Sequence, residues 1–386
     1  MAELDNTSRH EKENPKAGDN YLAEARRLIG IDLRSQRGTM IVTRDEIKKI
    51  THLMGSDNPL YCDESYARKT KWQGMIAPPY LLQFAGDFDV APGLPGITWI
   101  YGGSDWEWYH IVREGDVITQ RGRLLDAVEK VGTSAGRFII QYGEIIYYNQ
   151  RDEVVAKNLP LTARTLKRST KSGEGMHYKE RLHKYTAGEL AAIEEAVDAE
   201  EVRGANPRYW EDVTVGDEIG PLVKGPYRVL DMIYGISSHN VFGNLHMGSH
   251  IIQYLRRKEH PGDAYMNPKT GAADHPFRGH WDPYMAHEAG MPNIYDIGQV
   301  TRGPWTSQLI TDWMGDDGFL KKLTLRIRLP KIVGDTTWCK GKVIKKVVQE
   351  GEYLVDCEIW FENQLKEITV SGSATVRLPH KNGQDS

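Results

Sequence analysis

The sequence contains an internal duplication, and this feature constrains the fold more than any local pattern does. Gly-Asp pairs begin at Gly115 and at Gly334. Each pair is followed by three segments rich in β-branched and aromatic residues. The two glycines are 219 residues apart, and Asn149 and Asn363, which lie in a later turn of each series, are 214 apart. Such a nearly constant offset predicts two copies of one unit, each an antiparallel meander with long strands.

Each meander is preceded by a helical segment and a turn of small residues, ARKTKWQGMIAPP at 67–79 and AHEAGMPNIYDIG at 286–298. Each half is therefore expected to place one helix on an antiparallel sheet, which is an α+β arrangement. Near the start of the first half, Thr43 and Glu46 form the spacing of a capping box and predict a helix that stops at Gly55.

The predicted domain organisation follows from where polar segments interrupt this pattern. Residues 1–20 are polar and lack aromatic residues, which is typical of a disordered tail. We expect a first domain at 21–165, a linker with a surface helix at 166–207, and a second domain at 208–386.

Composition excludes several classes of protein. Of the 386 residues 40% are hydrophobic and 26% are charged, enough apolar content for two cores. The formal net charge of -4 argues against a dedicated nucleic-acid or anionic-membrane binder. No apolar run approaches a membrane span, the N-terminus lacks the apolar region of a secretory signal, and three cysteines are too few for a disulfide framework. A cytoplasmic protein is expected.

Five phrases of the sequence resemble one known family. They are GSDNPLYCDESYA (55–67), GMIAPP (74–79), YWEDVTVGDEI (209–219), HWDPYMAHEAGMP (280–292) and WMGDDGFL (313–320). On these phrases the chain resembles the MaoC-like acyl dehydratases and (R)-specific enoyl-CoA hydratases. The resemblance implies a tandem, or double, hotdog fold and a hydro-lyase that adds water to an enoyl thioester or removes it from a 3-hydroxyacyl thioester.

The first half departs from the active phrase of that family, Gly-Asp-x-Asn-Pro-x-His-x-Asp, in which the Asp and the His act on the thioester. Ser56 stands where the family has its Asp, and Tyr61 stands where it has its His. Neither is a good base near neutral pH, so we expect this half to have lost the chemistry and to use Tyr61 and Asn58 for substrate binding. The alternative is that Asn58 merely starts a helix, with Asp63 nearby as a cap.

The second half departs differently. His280, followed by Asp282, matches the His-x-Asp of the family, but His275 occupies the position of the family's Asp, and Asp274 lies one residue further upstream. Residues 240–276 form an apparent insertion over the site. We expect His280 and Asp274 to be catalytic, with a residue of the insertion as the alternative to Asp274.

The resemblance implies three further site residues in this half. Arg278 and Trp281 are expected to bind substrate, and the backbone N–H of Gly298 is expected to face the thioester oxygen. Gly298 is equally explained as an ordinary residue of a helix-to-strand turn.

The reaction requires an acid–base group and hydrogen-bond donors. Hydration of an enoyl thioester needs one group to polarise water and one to deliver a proton to the α-carbon, and histidine titrates near neutrality. The negative charge that develops on the thioester oxygen requires N–H donors. The degenerate half suggests a bulky or branched acyl group, of the kind met in fatty-acid or steroid-like side-chain metabolism. The alternatives are a non-catalytic acyl-CoA-binding or partner subunit and a hotdog thioesterase.

The sequence gives less information about metals, cofactors and protein partners. His246 and His250 have a helical spacing, but a glutamate at the second position and a third ligand are missing, so no metal is expected. No cofactor is expected beyond the CoA that the substrate carries. The tandem copy should pair one sheet edge within the chain, and a homodimer through the outer surfaces is possible.

Overall fold

The computed structural model describes residues 19–33, 38–86, 89–94, 97–132, 136–165, 182–238, 254, 258, 265–274, 276–288 and 291–381. Strands are the commonest regular structure in the described chain. They are β1 (Gly38–Ile41), β2 (Thr98–Trp108), β3 (Val117–Gly132), β4 (Gly136–Tyr148), β5 (Val154–Thr165), β6 (Glu218–Lys224), β7 (Tyr265–Met266), β8 (Ala273–Asp274), β9 (Phe319–Ile327), β10 (Thr337–Gln349), β11 (Glu352–Asn363) and β12 (Ile368–Arg377).

The helices are mostly short. They are α1 (Asp19–Arg26), α2 (Arg44–Met54), α3 (Pro59–Cys62), α4 (Glu64–Ala67), α5 (Ala187–Asp198), α6 (Val229–Ser238), α7 (Pro283–Glu288) and α8 (Gly298–Met314). Single 3-10 turns occur at Pro79–Phe84, Trp210–Asp212 and Pro276–His280. Among the described residues, no helix is both long and apolar enough to cross a membrane.

Ten of the strands form one antiparallel sheet in the order β1-β3-β4-β5-β2-β9-β12-β11-β10-β6. The predicted meanders are therefore confirmed as β3-β4-β5 and β10-β11-β12. The halves meet where β2 pairs with β9, from Gly103 opposite Arg326 to Glu107 opposite Lys322. Arg326 donates to both carboxylate oxygens of Asp105 across this junction, at 2.7 and 2.8 Å. The predicted pairing of one sheet edge within the chain is confirmed.

The turns that flank the meanders repeat in atomic detail. Gly115 and Gly334 both adopt positive φ, 93° and 96°, which favours glycine. In the first half the Arg113 N–H donates to Asp116 at 2.8 Å, and the second half has the same contact from Ile332 to Asp335 at 2.9 Å. A glutamine closes each turn, with Gln150 donating to Asp116 at 3.0 Å and Gln364 to Asp335 at 2.8 Å. The duplication and the predicted double hotdog fold are confirmed.

Helix α8 is the buried centre of the molecule. All 17 of its residues are buried, between the 3-10 turn Pro79–Phe84 and the inner face of the sheet. A Cβ placed on Gly303 would lie 2.0 Å from Tyr80 Oη, so only glycine permits this approach of the helix to the turn of the first half. The expectation of one helix per half is too simple, because the first half has only that 3-10 turn in the corresponding place.

Two predicted helices are confirmed. Helix α2 begins after Thr43, whose hydroxyl accepts from the Glu46 N–H at 3.2 Å, and it ends at Gly55 with φ 68°. Helix α5, in the segment predicted as a linker, starts with a complete capping box of Thr186 and Glu189.

Candidate active site

His280 ends the 3-10 turn Pro276–His280 and lies three residues before the first residue of α7. Its side chain is buried, with 8% relative exposure. Its Nδ1 lies 2.9 Å from the backbone carbonyl oxygen of Tyr295. The centroids of the His280 and Tyr295 rings are 4.2 Å apart. Because a carbonyl can only accept, Nδ1 carries the proton, and Nε2 is the basic nitrogen of the neutral ring.

Burial keeps the imidazole neutral. It lowers the pKa of His280 to about 4, against smaller opposing effects of the Tyr295 carbonyl and the negative charge of Asp296. At pH 7 the side chain can therefore accept a proton at Nε2 without first losing one. This is the state that a general base requires.

Gly298 corrects one of the sequence-based alternatives. It is the first residue of α8 rather than part of a helix-to-strand turn, and it lies three residues after the Tyr295 carbonyl that holds His280. The first N–H groups of a helix have no partner within it and lie at the positive end of its dipole. The N-terminus of α8 is thus suited to stabilise negative charge close to His280.

A buried ion pair flanks this helix start. Arg302 donates to Asp296 at 2.9 Å, with side-chain exposures of 5% and 0%. The Thr301 hydroxyl also donates to Asp296, at 2.6 Å. A Cβ placed on Gly298 would lie 3.0 Å from Arg302 Nη2, so the guanidinium packs directly over the glycine. Sequence reasoning missed this pair, although Asp296 stands two residues before Gly298.

The first half contributes to the same end of α8. Gln299, next to Gly298, donates to the buried Asp89 at 2.8 Å, and Thr162 of β5 donates to the other oxygen of Asp89 at 3.2 Å. The start of α8 is therefore fixed by groups from both halves. Asp89 carries no motif signal in the sequence, and only the fold brings it to this position.

The other residues predicted in the second half are placed as follows. Arg278 is engaged by Asp282, with Nε 2.7 Å from Oδ2, so its charge is already paired. Trp281 is half-buried, and its backbone N–H donates to the Arg278 carbonyl at 3.0 Å. Asp274 lies in β8 opposite Tyr265, but its side chain lies outside the described residues, so its proposed role stays a prediction.

In the first half, Asn58 acts as a helix cap. Its side-chain oxygen accepts from the Leu60 N–H at 3.1 Å, and its own N–H donates to Ser56 Oγ at 3.2 Å. Asp63 caps α4 by accepting from the N–H groups of Ser65 and Tyr66. These contacts are the ones expected if Asn58 starts a helix and Asp63 caps the next one. The predicted role of Asn58 in substrate binding stays a prediction.

Tyr61 lies in the wall of a cleft at the other end of α8. The phenol is 2% exposed, and its pKa is raised well above the ordinary value by burial and by the charges of Asp312 and Asp316. Tyr61 therefore stays protonated and is no base, as the sequence predicts. Helix α8 has 17 residues, so this cleft and the His280 end are about 24 Å apart.

Among the described residues, no group of three or more His, Cys, Asp or Glu side chains could hold a metal ion. The motif residues His246, His250 and His275 lie outside them.

Comparisons with known proteins agree with this architecture. Residues 27–158 match the family model for the FAS1-like, dehydratase domain region. No curated protein matches the sequence. A solved MaoC-like dehydratase is similar, with 15% identity and a TM-score of 0.61 over 91% of this chain and 97% of the other.

A MaoC domain protein dehydratase from Chloroflexus aurantiacus is also similar, with 12% identity and a TM-score of 0.52 over 90% of this chain and 96% of the other. At these identities the solved structures establish the fold. The likeness in fold to these two solved proteins extends over most of the chain. The family model, which matches residues 27–158, supports a hydratase or dehydratase kind of function.

Proposed function

We propose that this chain is a hydro-lyase that adds water to an enoyl-CoA, or removes it from a 3-hydroxyacyl-CoA, with His280 as the acid–base group. The observation that carries the proposal is the hydrogen bond from His280 Nδ1 to the Tyr295 carbonyl, three residues before the start of α8. Because Nδ1 carries the proton, Nε2 is the basic nitrogen of the neutral ring. The same hydrogen bond ties the ring to Tyr295, three residues before Gly298, the glycine that the family resemblance implies.

In the proposed step, Nε2 of His280 takes a proton from water while the water oxygen forms a bond to the β-carbon. The electron pair of the double bond moves toward the thioester, and the oxygen that gains negative charge faces the N–H of Gly298. The imidazolium then returns a proton to the α-carbon, so that water has been added in full. Asp274 is proposed to hold the attacking water.

Arg302 has a supporting role in this proposal. It lies over Gly298 and neutralises Asp296, which would otherwise place a negative charge beside the developing oxyanion. Arg302 and Asp296 are therefore positioning residues, which keep the helix start rigid and electrostatically favourable for the transition state.

The substrate details are part of the proposal. The first half is proposed to hold the acyl group, which would suit a bulky or branched chain, as in fatty-acid or steroid-like side-chain metabolism. A cytoplasmic location and a homodimer through the outer surfaces are likewise proposed, with neither nucleic acid nor membrane as partner.

The test is incubation with a panel of enoyl-CoAs, followed by mass spectrometry and detection of free thiol. Hydration raises the mass of the acyl group by one water and leaves the thioester intact. Release of CoA instead would identify a thioesterase. Absence of both reactions with the whole panel would favour a non-catalytic acyl-CoA-binding or partner subunit.

A further inference from the structure

Asp89 connects the first half of the chain to the first turn of α8. It lies after the 3-10 turn Pro79–Phe84 and is buried. Its Oδ2 accepts from Nε2 of Gln299 at 2.8 Å, and its Oδ1 accepts from the hydroxyl of Thr162 at 3.2 Å. Because a carboxylate can only accept, this contact also fixes which end of the Gln299 amide faces the first half.

The first half holds the segment around Asp89 through a buried guanidinium. Arg164 lies two residues after Thr162 in β5, and side chains two residues apart in a strand share a face. Burial lowers the pKa of Arg164 to about 10, while the charge of Asp89 opposes this change, so Arg164 stays positive at pH 7 and compensates Asp89. Arg164 donates to four carbonyl oxygens that follow Asp89, at 2.7 to 3.2 Å, namely those of Ala91, Gly93, Leu94 and Ile97.

The start of α8 needs such external contacts because no side chain caps the helix. Its N-cap residue is Ile297, whose aliphatic side chain cannot accept a hydrogen bond. The N–H groups of Val300 and Thr301 both donate to the Ile297 carbonyl, at 2.9 and 3.3 Å. The N–H groups of Gly298 and Gln299 precede these bonds and have no partner within the helix. Where they point therefore depends on the side chains that hold the first turn.

Contacts from both halves hold this turn. On the side of the second half, Thr301 and Arg302 donate to Asp296. On the side of the first half, Gln299 donates to Asp89. Because Gln299 adjoins Gly298 in the chain, a displacement of Gln299 also displaces the N–H of Gly298.

We propose that Asp89 is a positioning residue for the thioester site: through Gln299 it holds the first turn of α8 so that the N–H of Gly298 is directed at the thioester oxygen. The proposal rests on the proposed function in one respect, since it takes the thioester to bind at the start of α8. It adds that the half without the catalytic histidine is required for the oxyanion site of the other half. A displacement of about 1 Å can cost on the order of 10² in rate, so a contact remote from the reacting atoms is sufficient.

The experiment compares hexanoyl-CoA with hexyl-CoA, the thioether of the same chain length that lacks the thioester oxygen, by calorimetric titration of the full chain. We expect the wild type to bind the thioester about three- to tenfold more tightly, the worth of one hydrogen bond. Asp89→Leu and Gln299→Met each remove the contact and should bind the two probes within about twofold of each other. The double variant should lose no more than either single variant, because the two side chains act through one contact.

Two variants should keep the preference for the thioester. Asp89→Asn retains an oxygen that accepts from Gln299. Gln308→Met is the matched control, because Gln308 lies nine residues further along α8 and donates to the buried Asp312. Gln308 and Gln299 are equally buried, with exposures of 3% and 4%. If Asp89→Leu does not fold, Gln299→Met tests the same contact and leaves Asp89 charged opposite Arg164.

Hydration of an enoyl-CoA separates this inference from the proposed function. Asp89→Leu and Gln299→Met should lower turnover by on the order of 10², with a much smaller change in affinity. A wild type that prefers the thioester but hydrates no enoyl-CoA of the panel would overturn the hydratase function, and the ratio of affinities in Gln299→Met would still decide the role of Asp89. That role is overturned if Gln299→Met and the wild type have the same ratio, if Gln308→Met also loses the preference, or if Asp89→Asn loses it.

Discussion

Asn58 of the first half donates a hydrogen bond from Nδ2 to Oδ1 of Asp312 in the last turn of α8, at 3.1 Å. The bond joins residues 254 positions apart, and both side chains are buried. It attaches the Asn-Pro phrase of the first half to the central helix of the second. The residue that the family motif shares thus serves here to connect the two halves.

Asp312→Asn should stabilise the protein at neutral pH. Burial raises the pKa of Asp312 from 3.8 to about 6. A raised pKa in the folded state means that Asp312 contributes most to stability below about pH 4 and loses this contribution as the pH rises to about 6. The difference in free energy of unfolding, variant minus wild type, should increase by about 2 kcal/mol between pH 4 and pH 7.

Urea denaturation at the two pH values measures this difference. Asn58→Ser provides the opposite case, because it removes a donor to the charged carboxylate, so it should destabilise more at pH 7 than at pH 4. If the free energy of unfolding changes with pH in the same way in the wild type and in Asp312→Asn, the pKa of Asp312 is not raised in the folded state.

Much of the fold could be predicted from the sequence, because the signals that define it are local or repeated. Long strands show as runs of β-branched residues, and the Gly-Asp turns repeat because positive φ and a side-chain cap are needed at the same place in each copy. Helix α8 was not predicted as a helix. It is buried on all sides and carries polar residues such as Gln299, Thr306 and Gln308 among apolar ones, so it lacks an amphipathic pattern.

The site was less predictable, since it depends on contacts between distant segments. His280 follows from the motif, but the Tyr295 carbonyl that fixes its tautomer and the buried Arg302 have no sequence signature. The role of Gly298 as a donor to the thioester oxygen stays a prediction, and the sequence does not distinguish the start of α8 from a turn at this position. Asp316 belongs to one of the phrases that resemble the family, but the burial of its Oδ1 is evident only in three dimensions.

Breaking the Asp296–Arg302 pair should be strongly destabilising. Asp296→Asn leaves a buried guanidinium unpaired, and Arg302→Met leaves a buried carboxylate, each at a cost of about 3–5 kcal/mol in the free energy of unfolding. The double variant should cost clearly less than the two single changes added together, since no unpaired charge remains. A double-mutant cycle by denaturant titration measures the coupling, and additive effects would show that the two side chains do not stabilise each other.

Tyr61→Phe should lower hydratase turnover by less than about tenfold, because only one hydroxyl is lost and the phenol is held protonated by burial and by the adjacent carboxylates. Steady-state kinetics with a substrate of the enoyl-CoA panel tests this. A loss on the order of 10³ or more would show that Tyr61 takes part in the chemistry and that the first half is not degenerate.

His280 should make the protein sensitive to acid. Its pKa is lowered from 6.5 to about 4 in the folded state, so protonation favours the unfolded chain. The stability that this provides is complete above about pH 6.5 and is lost as the pH falls to about 4, by about 3 kcal/mol in all. His280→Gln should lose less stability over this interval than the wild type, as measured by urea denaturation, whereas the exposed His287→Gln should follow the wild type.

His280→Ala should remove most of the catalytic activity while leaving substrate binding intact. A positioned general base is worth about 10²–10⁴ in rate, so turnover should fall by that factor. Affinity for a saturated acyl-CoA, which cannot be hydrated, should change little, because the imidazole acts mainly in the transition state.

The control is His287→Ala, seven residues further along and exposed on α7. It should keep wild-type turnover, since its ring is not held to the Tyr295 carbonyl beside the start of α8. Unchanged hydration by His280→Ala would show that the basic group lies elsewhere. Equal losses of turnover in His280→Ala and His287→Ala, together with lowered thermal stability, would instead show that the segment carrying both residues is damaged. The tautomer and the burial of His280 require that only His280→Ala loses turnover.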